Sequence, residues 1–478
     1  MLFNSIDFAI FLPIVFILYW FVCNKNLKLQ NFLIVVASYV FYGWWDYRFL
    51  SLILFSTVVD YVIGILLSNE VDHKKRKIYL WTSMFINLGF LGVFKYYNFF
   101  AENFVEAFTF FGGTISSNSL NIILPVGISF YTFQTMSYTI DVYKRKLQPT
   151  KDFIAFVAFV TFFPQLVAGP IERATHLLPQ FYVKRKFIYT NAVNGLRQIL
   201  WGLFKKVVIA DNCAEYANLI FNNSDDYSGS TLLLGALFFT FQIYGDFSGY
   251  SDIAIGTSRL FGFDLMQNFA FPYFSRDMAE FWRRWHISLS TWFRDYLYIP
   301  LGGSKGGVGM KIRNTFIIFI VSGFWHGANW TFIAWGLLNA VYFLPLLLTN
   351  KNRINLEIVA HNRFLPSFKE FIQILLTFAL TVLAWVFFRA DSIHHALNYL
   401  QDIFLLKKQG INLEIENSIY YLLLFFVTSE WIGRTGQFAL QKIDFLKLFW
   451  VRWLFYACII LLILFFSGAQ QDFIYFQF

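Results

Sequence analysis

Long apolar runs separated by short polar segments dominate the N-terminal part of the chain. Each run is close to the roughly 20 residues that a bilayer-spanning helix needs, and the runs lie at residues 6–23, 29–45, 49–67 and 78–94. Lys25 and Lys28 follow the first run, and a basic cluster at residues 73–77 follows the third. Because cytoplasmic loops carry the excess of Lys and Arg, this pattern predicts an extracytoplasmic N-terminus. Residues 95–113, which mix Phe and Tyr with two glutamates, predict an amphipathic helix at the outer interface.

An interrupted apolar stretch at residues 153–167 lies between basic clusters at residues 144–146 and 184–186. Pro164 breaks its helical pattern, and basic loops on both sides predict a re-entrant hairpin in place of a full crossing. Irregular backbone at membrane depth is tolerated only where protein or a cavity surrounds it. The stretch is therefore a first indication of an internal cavity. The preceding run, residues 120–140, is predicted to cross the membrane.

The rest of the chain continues this alternation of apolar and polar segments. Residues 191–210 predict a helix whose Lys205 and Lys206 place it partly in the cytoplasmic interface. A span at 232–250 is followed by a shorter apolar piece that Asp252 opens. Further spans are predicted at residues 316–330, 332–348, 371–388, 419–431 and 453–466. We predict an all-α polytopic membrane protein with about eleven transmembrane helices plus re-entrant segments, organised as a single domain over residues 1–478.

Composition supports the helical membrane class. Hydrophobic residues make up 57% of the chain and charged residues 14%, whereas soluble domains carry about 25% charged residues. The long continuous runs disagree with the short alternating segments of a transmembrane barrel. A net charge of +9 fits basic loops facing anionic lipid, and no basic stripe indicates nucleic-acid binding. Three scattered cysteines, Cys23, Cys213 and Cys458, have no metal-binding spacing and are interpreted as buried free thiols.

Two of the seven histidines lie where chemistry is most plausible. His73, His176 and His361 occur in basic or polar loops and are expected to be solvated, and His394 and His395 follow an expected helix N-cap at Asp391 or Ser392. His326 lies in the stretch 322–330, between two apolar runs, and His286 lies in an aromatic and arginine-rich segment.

A histidine can accept a proton from a hydroxyl near neutral pH, but His326 could equally be a structural hydrogen-bonding group. Nucleophile-elbow and HExxH motifs do not occur in the sequence. His286 and His326 also lack a third ligand at a spacing typical of metal sites.

Other polar residues predict the walls of an internal site. Arg283, Arg284, Trp285 and Ser288 are expected to line a partly wet internal surface near the cytoplasmic side, because arginines among so many indoles do not suit lipid. Asp246 and Asp252 are the best intramembrane carboxylates, although hydrogen bonding between helices is the slightly favoured role, and Asp60 should act in the same way. These residues alone leave an enzyme and a transporter equally open.

Several stretches, taken together, resemble the membrane-bound O-acyltransferase (MBOAT) family, in particular its alginate O-acetyltransferase (AlgI-type) branch. The teichoic-acid D-alanyl transfer protein (DltB) represents a related branch. The matching stretches are PQLVAGPI at 164–171, DFSGYSD at 246–252, FWRRWHISLSTWFRDYLY at 281–298 with LGG at 301–303, GFWHGA at 323–328, and FIYFQF at 473–478.

The resemblance implies an O-acyltransferase whose helices surround a central tunnel. His326 would be the essential histidine and His286 the second prominent polar residue, and the tunnel lining would comprise Trp325, Asn329, Arg283, Arg284, Trp285, Ser288 and Asp246. Neutral His326, desolvated between Trp325 and Trp330, would take the proton from the acceptor hydroxyl. No metal or bound cofactor is expected.

Acetyl-CoA would be the cytoplasmic donor, and an extracytoplasmic polysaccharide the acceptor. The resemblance also implies a partner acetyltransferase of the SGNH type (AlgJ-, AlgX- or PatB-like) and a place in the bacterial cytoplasmic (inner) membrane. Two alternatives from other classes remain at this point. One is a proton-coupled exporter of a small acylated molecule, and the other is a structural scaffold for a secretion complex.

Overall fold

Helices joined by turns and irregular loops make up the computed structural model, which describes residues 1–110, 125, 127–443 and 447–476. The first ten α-helices are α1 Ile6–Ile17, α2 Leu27–Asp46, α3 Leu50–Asn69, α4 His73–Leu91, α5 Tyr97–Phe110, α6 Ile128–Tyr143, α7 Phe153–Thr161, α8 Phe163–Leu166, α9 Ala174–Leu177 and α10 Tyr189–Leu203. The next ten are α11 Asp211–Asn222, α12 Gly229–Leu260, α13 Met278–Arg284, α14 Ile287–Phe293, α15 Gly307–His326, α16 Trp330–Leu348, α17 Phe368–Arg389, α18 Ile393–Phe404, α19 Asn417–Gly433 and α20 Phe449–Phe465.

Wider and tighter helical turns extend or connect these helices. The π-helical segments are Leu18–Val22, Gly92–Tyr96, Phe204–Ala210 and Arg294–Tyr298. The 3₁₀ segments are Tyr47–Phe49, Leu178–Phe181, Ser224–Asp226, Pro272–Phe274 and Ile474–Phe476. An isolated parallel bridge pairs Tyr227 with Ile411.

The chain divides into two compact units. The first contains Met1–Gly195 and Ala254–Met266, and the second contains Leu196–Ile253 and Gln267–Phe478. The predicted single domain over residues 1–478 would include both units, and it stays a prediction.

Six helical stretches in the described part of the chain are long and apolar enough to cross a membrane. They are Leu27–Asn69, His73–Phe110, Gly229–Leu260, Gly307–His326, Trp330–Leu348 and Phe368–Arg389, and shorter apolar helices occupy Ile6–Val22, Phe153–Leu166 and Phe449–Phe465. These bounds confirm most of the predicted apolar helices. α5 is helical up to Phe110, and its predicted place at the outer interface stays a prediction. Residues 111–113 of that prediction, and residues 120–124 and 126 of the predicted crossing at 120–140, lie outside the described residues.

The outer face of α1 illustrates how these helices meet lipid. Ile6, Ile10 and Ile14 are more than half exposed, whereas Phe8 and Phe11 on the opposite face are buried. A stripe of exposed apolar side chains would be unfavourable in water, and in a bilayer it faces acyl chains at no cost.

A buried polar cluster joins α3, α4 and α6 in the first unit. The Asp60 carboxylate accepts hydrogen bonds from Ser83 Oγ at 2.5 Å, Asn87 Nδ2 at 2.9 Å and Thr139 Oγ1 at 3.3 Å. These bonds satisfy a carboxyl group that is fully buried. The predicted interhelical role of Asp60 is confirmed.

The predicted interruption of residues 153–167 is also observed. α7 ends at Thr161, Phe162 leaves the helical conformation, and the four-residue α8 carries Pro164 in its first turn. The backbone amide of Phe163 donates to Ser38 Oγ of α2 at 3.0 Å. Protein therefore surrounds this break, as non-helical backbone at membrane depth requires.

Buried ion pairs correct the expectations for α12 and for the π-helical segment Phe204–Ala210 that follows α10. Lys205 donates to the Asp252 carboxylate at 2.6 Å, and Lys206 lies 2.7 Å from Asp211 and 3.1 Å from Asp246. Both lysines are at most 3% exposed, so the prediction that they reach the cytoplasmic interface is wrong. α12 continues through Asp252 as one 32-residue helix, so the prediction that Asp252 opens a separate apolar piece is wrong.

Two smaller expectations are also corrected. Cys458 on α20 is exposed, because that helix buries little of its surface, whereas Cys23 and Cys213 are buried as predicted. His176 is not fully solvated, because its Nδ1 lies 2.7 Å from Glu172 Oε2. The expected N-cap before His394 is confirmed, with Ser392 accepting from the His395 amide.

Candidate active site

Direct backbone contact between α15 and α16 fixes the position of His326, the last residue of α15. A Cβ atom placed on Gly323 would lie 2.2 Å from the Phe332 carbonyl oxygen and 3.4 Å from Gly336 Cα. Only hydrogen fits there, so the two helices pack as closely as glycine-containing helix pairs in membranes do. Asn329 begins α16 as its N-cap, accepting from the Thr331 amide at 3.0 Å.

The His326 ring is 2% exposed and lies in a box of aromatic rings. The ring centroid of Trp335 is 5.1 Å away, and those of Phe388 and Tyr475 are at 5.3 Å and 5.6 Å. Trp325, the preceding residue, adds a fourth wall at 5.0 Å. Trp330 was expected to exclude water here, but it is 53% exposed. Trp335 takes that place, because the chain reverses between α15 and α16 and carries Trp330 to the outside of the turn.

His286 is held by Asn268 in a conformation that few residues adopt. Its φ of 44° and ψ of 55° are left-handed, and it forms the N-cap of α14. Its Nδ1 lies 3.0 Å from Asn268 Oδ1, which also accepts from the Ser288 amide at 3.4 Å and from Ser288 Oγ at 3.0 Å. The Ser288 backbone amide can only donate, so the Asn268 side-chain atom that it contacts is the oxygen Oδ1 and not the nitrogen. The proton of neutral His286 therefore lies on Nδ1, and Nε2 carries the lone pair.

Burial favours this neutral form. His286 is 1% exposed, and burial lowers the pKa of its imidazole far below the ordinary value. The ring also packs edge-on against Phe247, with centroids 4.7 Å apart. His286 is consequently a hydrogen-bond acceptor through Nε2 at neutral pH, with little tendency to take a full proton.

The Trp325 indole lies between the two histidines. Its centroid is 5.0 Å from that of His326 and 6.1 Å from that of His286. Tyr475 belongs to the same cluster, because its ring centroid lies 6.4 Å from that of Trp325 and 4.5 Å from that of Phe247. Two imidazoles that are 40 residues apart in sequence therefore belong to one buried aromatic cluster.

A buried ion-pair network holds the segment that carries Tyr475. The Ile474 amide donates to Asp246 Oδ2 at 2.7 Å, and Lys206 Nζ donates to the Gln471 carbonyl at 3.0 Å. Asp246 is thus engaged with Lys206 and with this backbone. The interpretation of Asp246 and Asp252 as interhelical hydrogen-bonding groups is confirmed by these contacts.

The remaining predicted lining residues fall into different settings. Ser288 is next to His286 through Asn268, and Trp285 is buried against Trp385 at 5.0 Å. Arg283 donates to the carbonyls of Asn352 and Asn355, and Arg284 pairs with Glu280 at 2.9 Å. Asn329 donates to the Asp391 carbonyl. Both arginines and Asn329 therefore hold loops in place, and the structure does not bring them against the histidine rings.

Sequence reasoning missed Asn268, Trp335 and Phe388. Asn268 belongs to no recognisable motif, so one sequence gives no signal for it. Trp335 and Phe388 have the pattern of ordinary apolar helix residues, and only their packing identifies them. Within the described residues, no group of three His, Cys, Asp or Glu side chains could hold a metal ion.

Both histidines of this site lie within a chain segment that matches a known family. Residues 150–388 match the MBOAT, membrane-bound O-acyltransferase family. The chain belongs to that family and is a polytopic membrane O-acyltransferase, which confirms the resemblance described above.

Curated relatives define the branch of the family. The chain is 41% identical to the probable alginate O-acetylase AlgI of Pseudomonas aeruginosa over 406 residues, covering 84% of this chain and 75% of the relative. It is 36% identical to the peptidoglycan O-acetyltransferase of Helicobacter pylori over 430 residues, with coverages of 84% and 79%. The teichoic acid D-alanyltransferase of Bacillus subtilis is more distant, at 26% over 290 residues, or 58% of this chain and 71% of the relative.

Proposed function

We propose that this protein transfers acetyl groups from a cytoplasmic donor towards O-acetylation of an extracytoplasmic polysaccharide. Two relatives that align over more than four fifths of the chain are a probable alginate O-acetylase and a peptidoglycan O-acetyltransferase. The observation that carries the proposal is the buried aromatic cluster, in which the rings of His326 and His286 both contact Trp325. Such a site excludes water, which would otherwise hydrolyse an activated acetyl group.

His326 is the proposed general base. It accepts the proton of the acceptor hydroxyl as that oxygen attacks the acetyl carbonyl. The new C–O bond replaces the C–S bond of a thioester donor, and the proton passes from the imidazolium to the departing thiolate. General-base assistance of this kind contributes about a hundred- to ten-thousandfold in rate.

His286 is proposed to orient the donor or acceptor through Nε2. Asn268 keeps the other ring nitrogen protonated, so Nε2 can accept a hydrogen bond but cannot donate one. Ser288 and Trp325 belong to the proposed binding site. Arg283, Arg284, Trp285, Asn329 and Asp246 are proposed to support its walls.

The proposed topology follows from the positive-inside pattern. About eleven crossings plus re-entrant segments would surround a tunnel in the bacterial cytoplasmic membrane, with the N-terminus extracytoplasmic. Acetyl-CoA is the proposed donor. An SGNH-type acetyltransferase outside the membrane is the proposed partner that passes the acetyl group to the polymer.

Replacement of His326 tests the proposal. His326→Ala and His326→Gln should reduce O-acetylation of the cell-envelope polysaccharide by about a hundredfold or more. The acetyl groups are released from the polysaccharide with mild base and measured by mass spectrometry. His394→Ala replaces an exposed histidine that contacts Asn398 and should leave acetylation unchanged. Normal acetylation in both His326 variants, at equal membrane levels, would refute the assignment. A proton-coupled exporter would instead show substrate flux without acetyl transfer by the purified protein.

A further inference from the structure

A basic cavity in the first unit lies outside the proposed active site. Its volume is about 570 Å³, within the usual range for ligand pockets. The loop before α10, the residues around the end of α12 and Trp20 line it. Its cationic side chains are Lys184, Arg185, Lys186 and Arg259, and no acidic residue lines it in the described chain.

Arg185 is a buried cation without a carboxylate partner. Its side chain is 8% exposed and donates to the neutral oxygens of Gln180 at 3.2 Å and Asn31 at 2.7 Å. The guanidinium lies over the Phe263 ring at 4.7 Å. Its buried Nε–H meets no acceptor in the described part of the chain. A buried charge without a counter-charge is costly, so this rigidly held guanidinium is suited to an anion entering the cavity.

Neighbouring carboxylates do not neutralise this charge. Glu172 and Asp264 are the acidic groups close in sequence to the lining residues, and both face His176, at 2.7 Å and 4.0 Å. At the end of α12, the Leu260 and Phe261 carbonyls accept from Trp20 Nε1 and Tyr19 Oη. The negative end of that helix is therefore already hydrogen-bonded, and the cavity remains cationic.

The cavity rim is apolar and lies beside an apolar helix end. Val183, Phe187 and Ile188 line the cavity and are 64%, 49% and 52% exposed. Trp20 comes near the end of the apolar helix Ile6–Val22, where the indoles of membrane proteins meet the bilayer interface. The cavity therefore combines cationic side chains inside with exposed apolar side chains at its rim. This combination matches a molecule with an anionic phosphate and hydrocarbon chains.

We propose that this cavity binds the phosphate headgroup of an anionic membrane phospholipid. Arg185 contacts the phosphate from the buried side, while Lys184 and Lys186 contact it from the exposed side. Val183, Phe187 and Ile188 pack against the first part of the acyl chains. The site is separate from the acetyl-transfer chemistry and does not depend on it.

Native mass spectrometry of the full chain tests this site with dioleoyl phosphatidylglycerol and, for comparison, dioleoyl phosphatidylcholine. The protein should retain the anionic lipid preferentially. Lys184→Gln/Lys186→Gln removes two exposed charges and should weaken retention by about twenty-five-fold, since each basic residue near anionic lipid contributes about fivefold. Lys74→Gln/Lys75→Gln makes the same change in another basic cluster and should alter retention by less than about twofold. Arg185→Gln should abolish the preference.

Competition separates the possible sources of phosphate. Retention that survives millimolar inorganic phosphate and coenzyme A supports a lipid site. Displacement by inorganic phosphate would assign the cavity to a free anion, and displacement by coenzyme A would assign it to a soluble nucleotide; either result overturns the proposal. Equal retention of both lipids, or equal losses in the two double-lysine variants, would overturn it as well.

Discussion

Adding one methyl group at Gly323 should displace the proposed catalytic histidine. In Gly323→Ala the new Cβ would lie 2.2 Å from the Phe332 carbonyl oxygen, whereas ordinary contacts begin at 3.4 Å. The neighbouring atom is backbone, so α15 and α16 must separate by about 1.2 Å, the difference between these distances. His326 follows within one turn of α15. A misplacement of about 1 Å can cost roughly a hundredfold in rate, and acetyl transfer should fall by about that factor.

Gly309→Ala provides a matched control on the same helix. A Cβ at Gly309 meets nothing within 4 Å, and alanine favours helix over glycine by about 1 kcal/mol. This variant should retain full acetylation and be no less stable. Gly336→Ala, whose Cβ would lie 2.3 Å from the Phe319 carbonyl, should reproduce the loss. Acetylation is measured as acetyl released from the cell-envelope polysaccharide. Stability is measured by thermal unfolding of the detergent-purified protein. Wild-type acetylation in both Gly323→Ala and Gly336→Ala would refute the reasoning.

Three further substitutions address the polar networks. Lys206→Met leaves two buried aspartates without their cation and should destabilise the protein by about 3–5 kcal/mol; an unchanged thermal midpoint would contradict this. Asn268→Ala removes the acceptor that orients His286 and should lower acetyl transfer roughly tenfold or more, whereas Asn268→Asp keeps an acceptor oxygen and should lose less. The hydrogen bond to Glu172 raises the pKa of His176. The contribution of this interaction to the stability of the fold is therefore complete below about pH 6.5 and is lost as the pH rises through the folded-state pKa of His176. The thermal midpoint of the wild-type protein, measured from pH 5.5 to 9, should therefore fall as the pH rises, and this contribution to the pH dependence should be absent in His176→Gln.

Local patterns were sufficient to predict most of the apolar helices. Runs of about 20 apolar residues can satisfy their backbone in lipid only as helices, so the spans at α2, α3, α16 and α17 follow from composition and length. Pro164 predicted the break between α7 and α8 for an equally local reason, because proline lacks an amide proton and its ring clashes with the preceding turn. The histidines of interest, His286 and His326, were likewise identified by their unusual apolar and aromatic surroundings.

Pairing between distant residues was not accessible from the sequence. Lys205 and Lys206 have the sequence pattern of interfacial lysines, and only their contacts with Asp252, Asp246 and Asp211 explain how they become buried. A charge is tolerated in the interior when its partner is present, and that partner can lie anywhere along the chain.

The sequence by itself determined the class of protein, most of the apolar helices and the two candidate imidazoles. The tertiary structure alone decided what surrounds these imidazoles: Trp335 in place of Trp330 beside His326, and Asn268 as the group that sets the His286 tautomer. The physical reason is that helix formation and membrane insertion depend on neighbouring residues, whereas the chemistry of a buried ring depends on packing between segments that are far apart in sequence.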